Sequence, residues 1–305
     1  MIILGQQFNN MPYLIAIVAG LSVGDPFIGL EEIDAERQDG SEESTVVGSR
    51  RRKYEESRQK FSALDPECDV LRLLCAVGAY EASGAADDFC HEHFLRIKVM
   101  KEIRKLRIQI TNIVNNQLSG IVAPVQFSAN LQPPSALQVR TMKQVITAAY
   151  LDRIAIRSDL VDSISSNKST TKLSRAEYLP MIAPTRQTAM TEFASIHPRS
   201  AVANASNAPE YIVYSDIRAS QKTGRLRLIP LTTVSAREIE PLARGTPLIQ
   251  YSKPLNYPPP RVFTENGVMK KEIYVVPRFG THGRGWELPS IKRIENLLNN
   301  NDFRS

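Results

Sequence analysis

FCHEHFLRIKVMKEIRKLRIQIT, residues 89–111, reads as one helix with two faces. Val99, Ile103, Leu106, Ile110 and Ile113 follow at steps of four, three, four and three, which places them on one side. Lys98, Lys101 and Lys105 run down another side, with Arg104 and Arg107 beside them. No Gly or Pro interrupts the stretch, and most of its residues are good helix formers. The apolar stripe demands a core. The basic stripe can face water, acidic protein or phosphate.

Upstream, residues 11–23 (MPYLIAIVAGLSV) are apolar nearly all round, with Pro12 in the first turn and Gly24-Asp25-Pro26 as a stop. The apolar run is about a dozen residues, and a bilayer span needs roughly 20, so it reads as a buried helix. Residues 31–60 change character: Glu31 to Glu43 is acidic, and Ser49 to Lys60 (SRRRKYEESRQK) is basic and mixed. The pattern predicts a solvated or disordered insertion. Its RRRK cluster reads first as a solvated charge run; a nuclear-localisation patch and a phosphate contact are the alternatives. Asp65-Pro66 opens a further helix, CDVLRLLCAVGAYEA, with a wide apolar face.

Downstream, a polar connection holds Pro124, Pro133 and Pro134, and Ser135 with Gln138 forms a capping-box pattern for a helix to about Tyr150. The period then changes. Arg153 to Arg157 alternates as a strand does, 159–174 reads as a loop, and EYIVYSDIRA (210–219), RLRLIPLTTV (225–234) and GTPLIQYSK read as short strands. This predicts a small barrel or sandwich. Tyr211 and Tyr214, three apart, point to opposite faces and are core candidates before they are base-stacking ones. Past Leu255 come YPPPR, KKEIYVVPRF, a Gly-rich turn GTHGRG and a final helical piece from Ser290 to Leu298.

The 305 residues are 42% hydrophobic and 23% charged, a globular composition long enough for two domains. A net charge of +6 favours polyanion partners, though modestly. Cys68, Cys75 and Cys90 are odd in number and read as reduced core thiols, not a disulfide framework. The first residues lack a secretory pattern.

Cys90 and His93 share a helix face, but a structural zinc site needs four ligands. His197 and His282 lie apart, no CxxC exists, and the group reads as a helix start with exposed histidines. There is no GxxxxGK[ST] loop, GxGxxG, GxSxG or HExxH pattern, and His197 beside Pro198 has no nucleophile motif with it. No catalytic residue is assigned.

The order of parts, helical bundle, connection, helix and small β-domain, resembles the C-terminal half of DEAH-box RNA helicases. Residues 89–110 look like that family's ratchet-helix signature. IHPRSA (196–201) looks like its His-Pro motif followed by Ser, and PEYIVYSDIRASQK (209–222) like its Pro-Glu-aromatic segment ending in Lys. LRIKVMKEIRKLRIQ, PYLIAIVAGLSV and LLCAVGAYE are similar to the nucleolar branch acting in small-subunit ribosome biogenesis. The resemblance covers nearly the whole chain and is weakest over 159–190 and past 260.

It implies an α+β multidomain fold: an all-α ratchet bundle over 1–125 with a charged insertion at 31–60, an OB-like β-barrel over 126–255 with a leading helix at 135–150, and a C-terminal extension over 256–305. The RecA-like domains, with their ATP-binding loop and DEAH box, are not found in these residues. The chain therefore looks like a fragment or a truncated gene product, with ATP and magnesium bound by the parent's motor domains. Carried over by matching position, the residues implied to contact RNA are Lys98, Arg104, Arg107, Ser220, Lys222, Thr232 and Thr233. Thr223-Gly224 is an apparent insertion in the barrel hairpin. Pre-ribosomal RNA, a box C/D small nucleolar RNA, processome proteins and a nucleolar location are implied likewise. A protein-docking module without RNA contact is the reading left open beside it.

Overall fold

Residues 11–23 lack a polar face, so the helix they form must be covered on every side. In the computed structural model it is α2 (Met11–Val23), preceded by α1 (Ile2–Gln6). The residues described are 1–6, 9–35, 44–120, 123–161, 176–181, 193–220, 223–266, 268–281 and 284–296. Leu14, Ala16, Ile17 and Ala19 have no exposed surface. Gly20 lets α2 approach α5 (Asp69–Ala82) closely, since a Cβ there would lie 2.6 Å from Leu73 Cδ2. α5 begins at Asp69, with Cys68 as its N-cap, rather than at Asp65-Pro66.

The 89–111 stretch is two helices. α6 (Asp87–Glu92) stops, and α7 (Ile97–Gln117) starts afresh. Between them Phe94 has φ +54°, and Leu95 forms an antiparallel bridge with Phe27. The Arg96 N–H donates to Pro26 O at 2.7 Å, and the Ile28 N–H donates to Phe94 O at 3.0 Å. The break lets this backbone pair with residues 26–28 while Phe94 and Leu95 both stay buried, so tertiary pairing overrides helix propensity. The buried stripe of α7 is Met100, Ile103, Arg107, Thr111 and Val114. It is rotated from the expected one: Leu106 and Ile110 are half-buried and Ile113 is exposed.

The charged insertion is also more ordered than its composition suggests. Leu30–Ala35 form α3 and Ser44–Phe61 form α4, while residues 36–43 lie outside the described ones. The C-terminal end of α4 is anchored. Phe61 is buried, Ser57 Oγ sits 3.2 Å from His93 Nδ1, and Arg58 donates to Ile28 O at 2.6 Å over the Phe27 ring. Arg50 to Lys53 lie on its exposed part. Beyond α7, Asn115 closes two hydrogen bonds of 2.8 Å with Val125, which holds the polar connection down. α8 (Ala136–Ala149) starts at the expected capping box of Ser135 and Gln138.

The β part holds a five-stranded sheet in the order β2-β1-β4-β5-β3. Its strands are β1 (Ile154–Arg157), β2 (Tyr178–Pro180), β3 (Ser195–Ile196), β4 (Tyr211–Ala219) and β5 (Leu226–Val234). β4 and β5 form an antiparallel hairpin, and a register break around Tyr214 accommodates Pro230 inside β5. The alternation on β4 is real: Tyr211 and Val213 join the main core with α2, α5, α7 and α8, and Ile212 and Tyr214 join a second cluster with Tyr178 and Val202. Both tyrosines are buried, so neither offers a ring to a base.

The loop expected over 159–174 lies mostly outside the described residues; Ser158–Val161 form α9. α10 (Ala236–Ala243) follows β5. Two three-stranded sheets complete the chain: β6 (Ile249–Tyr251) with β9 (Pro277–Thr281) and β10 (Arg284–Glu287), and β7 (Arg261–Glu265) with β8 (Val268–Val275) and β11 (Ile291–Asn296). Trp286 packs between Tyr211 and Phe279, and all three join the main core. Among the described residues the last element is a strand where a helix is expected. Its residues 291–296 pair with the open edge of β8, and Lys292 meets Glu272 at 2.6 Å. The architecture is α+β, with helices and sheet sharing one core.

Candidate nucleic-acid interface

The exposed face of α7 carries Lys98, Lys101 and Lys105. Lys101 is held by Asp87 at 2.8 Å; among the described residues Lys98 forms no ion pair. Arg104 and Arg107 turn towards α5 instead, where Glu81 has a side chain only 1% exposed. A buried carboxylate requires partners, because its desolvation is costly. Arg104 Nε meets Glu81 Oε2 and Arg107 Nη1 meets Oε1, both at 3.1 Å. Arg107 also donates to Ser128 O at 2.6 Å and lies over the Phe127 ring. Burial pulls its pKa down, and the charge of Glu81 opposes that. Arg107 is therefore an interior clamp between α5, α7 and the 123–131 connection, with no face left for a ligand.

The β-side candidates separate in the same way. Thr232 is fully buried, and its hydroxyl donates to Thr233 O at 3.2 Å. Thr233 is half-buried and lines a cavity of about 500 Å³ with Asp65, Lys143 and Arg237. Ser220 follows β4, and its N–H donates to Arg225 O at 2.8 Å; Lys222 lies outside the described residues. The six described positions do not gather into one surface.

Another group does gather. Between the C-terminal end of α2, the start of α5 and the β4–β5 hairpin lies a cleft of about 310 Å³. Arg72, Arg96, Arg199 and Arg218 line it, with His197, Asp25 and Asp69. Asp69, in the first turn of α5, accepts from Ser200 Oγ and from the Ala201 N–H at 2.8 Å, which fastens the 197–201 turn to the helix. Arg72 donates to Asp69 at 2.5 Å and to Arg199 O at 2.9 Å, and its buried Nε has no partner among the described residues. The His197 Nδ1 accepts the Arg199 N–H at 3.2 Å, so its neutral form carries the proton on Nε2. Burial first, then the Arg227, Arg199 and Arg218 cations, hold its pKa below the usual value. Arg218 is exposed, 3.1 Å from Asp216.

Guanidinium forks match phosphate oxygens in geometry and charge and carry no information about base identity. This cleft escaped the sequence reading because its arginines come from four separate segments. The signal within reach was IHPRSA, whose His197 and Arg199 both line it. Cys90 and His93 are accounted for differently. Cys90 is buried, and His93 packs against Phe61 and Phe89.

The family described as helicase associated domain (HA2), ratchet-like, matches residues 1–73, which end inside α5. A Schizosaccharomyces pombe protein named as an ATP-dependent RNA helicase is 31% identical over 317 residues, covering 98% of this chain and 25% of that protein. The Saccharomyces cerevisiae protein named “Probable ATP-dependent RNA helicase DHR1” is 31% identical, covering 95% of this chain and 25% of its own. The human protein named “Probable ATP-dependent RNA helicase DHX37” is 29% identical, covering 96% and 23%. The chain thus spans about a quarter of the length of these curated relatives. Residues 1–73 thus match the ratchet-like helicase-associated domain, and nearly the whole chain is similar to proteins named as ATP-dependent RNA helicases, consistent with the C-terminal half of a DEAH-box RNA helicase.

Proposed function

We propose that the chain grips single-stranded RNA for an ATP-dependent helicase of ribosomal RNA processing and small-subunit biogenesis. The observation that supports this best is the convergence of four arginines and a histidine on one cleft. A translocating enzyme must hold any sequence, and phosphate contacts do that. In this reading residues 1–125 are the ratchet domain, 126–255 an OB-type domain built on the five-stranded sheet, and 256–305 an extension. Lys98, Arg104, Ser220, Lys222 and Thr233 add outer contacts; Arg107 and Thr232 hold the interior. ATP and magnesium belong to the parent's motor domains, and the RNA is pre-ribosomal, with a box C/D small nucleolar RNA and processome proteins as nucleolar partners.

Photo-crosslinking of a thiouridine-substituted single strand to the 305-residue chain, mapped by peptide mass spectrometry, tests the placement. Crosslinks in the peptides holding His197, Arg199 and Arg218 are expected. Crosslinks confined to the RRRK part of α4 would contradict it.

A further inference from the structure

Not all of the arginines at the mouth of the cleft are without a partner in the free chain. Glu32, on the short helix α3, takes two of them. Its carboxylate oxygens lie 2.7 and 2.8 Å from Arg96 Nη2, and Oε1 is 3.0 Å from Arg199 Nη2. The Gly29 N–H also donates to Oε1 at 3.3 Å. The group is ionised at neutral pH: burial works against this, but the two arginines and the Gly29 N–H outweigh burial and leave the pKa lowered. The Glu32 side chain is 45% exposed, so incoming solute can reach it.

Three features distinguish this contact from an ordinary surface ion pair. First, it bridges parts distant in sequence, α3, the start of α7 and the 197–201 turn, at the rim of the cleft. Second, a carboxylate shared by two guanidinium groups and a backbone N–H presents the same acceptor pattern as a phosphodiester's two free oxygens. Third, the geometry depends on Gly29. A Cβ there would lie 2.2 Å from Arg199 Nη2, so Arg199 reaches Glu32 only because residue 29 has no side chain. The anchor of α3 is slight: Ile33 is its one buried side chain among the described residues.

We propose that Glu32 is a built-in phosphate surrogate. It holds Arg96 and Arg199 in their gripping positions while the cleft is empty, and a phosphate of the single strand displaces it when RNA enters. The strand meets arginines already arranged, at the cost of breaking this ion pair, so Glu32 lowers affinity and hastens release. The proposal rests on the cleft being the RNA site.

The test is binding of an oligouridylate to the full chain by fluorescence anisotropy, for wild type, Glu32→Gln, Glu31→Gln, Gly29→Ala and Arg218→Glu. Glu31→Gln removes an exposed neighbouring carboxylate and so measures the general effect of one charge. Glu32→Gln is expected to bind about five-fold more tightly than Glu31→Gln, the scale of one exposed ion pair. Gly29→Ala changes no charge but drives the Arg199 fork out of its gripping position, and is expected to weaken binding where Glu32→Gln tightens it, with an unchanged melting temperature as its folding control. If Glu32→Gln binds no more tightly than Glu31→Gln, or Gly29→Ala binds as wild type does, while Arg218→Glu weakens binding, the surrogate is overturned and the cleft stands. If Arg218→Glu also leaves affinity unchanged, the cleft reading and the surrogate both fall.

Discussion

Arg104 and Arg107 are three residues apart on α7, and both point at Glu81, yet the first is 42% exposed at its side chain and the second 3%. Charge alone gave them one role; burial divides them. Arg107→Ala leaves Glu81 with only the half-exposed Arg104, and should cost about 3 kcal/mol in urea unfolding. Lys98→Glu should leave stability unchanged and weaken RNA binding about three-fold, as expected for one peripheral phosphate contact. The histidines carry a second residue-scale expectation. Burial holds both His93 and His197 below the ordinary histidine value of 6.5, so each stays neutral in the fold. Between their folded pKa values and 6.5 the unfolded chain binds more protons, so stability is full above that window and falls as pH drops through it. Melting temperatures should decline from pH 7.5 towards about 5.5, and replacing both histidines with glutamine should flatten that decline.

At the scale of elements, what could be read in the sequence was what is local. The all-apolar α2 and the Ser135–Gln138 capping box carry their own signals, and both occur where expected. Ser135→Ala should cost about 1 kcal/mol, visible as a lower urea midpoint at unchanged slope. Elements set by distant partners were misread. The 89–111 stretch has a continuous helical pattern, but Phe94 breaks it because the backbone at 94–96 pairs with residues 26–28. Residues 291–296 look helical in isolation and become a strand because β8 has an edge to fill. The basic half of the insertion folds as α4 because Phe61 and Arg58 find the rings of Phe27 and His93. The cleft illustrates the same limit: Arg72, Arg96, Arg199 and Arg218 span nearly half the chain, and no periodicity connects them.

At the scale of the whole molecule, helices and sheet share one core, so the cleft between them is a fixed feature and not a gap between independent bodies. Cross-ties reinforce it: Asp69 to Ser200, Arg72 to Arg199, and Glu32 to both Arg96 and Arg199. A net charge of +6 is modest for a nucleic-acid binder, so the account depends on where the charge lies rather than how much there is. With no phosphate-binding loop in its 305 residues, the purified chain should show no RNA-stimulated release of phosphate from ATP. The most direct test of the central claim is the salt dependence of single-stranded RNA affinity, for wild type and for an Arg199→Glu/Arg218→Glu double variant. Three phosphate contacts predict about a twenty-fold loss of wild-type affinity between about 50 and about 200 mM salt, with weaker and flatter binding in the variant. Wild-type affinity that does not change with salt, or a variant that binds as well as wild type, would contradict the account.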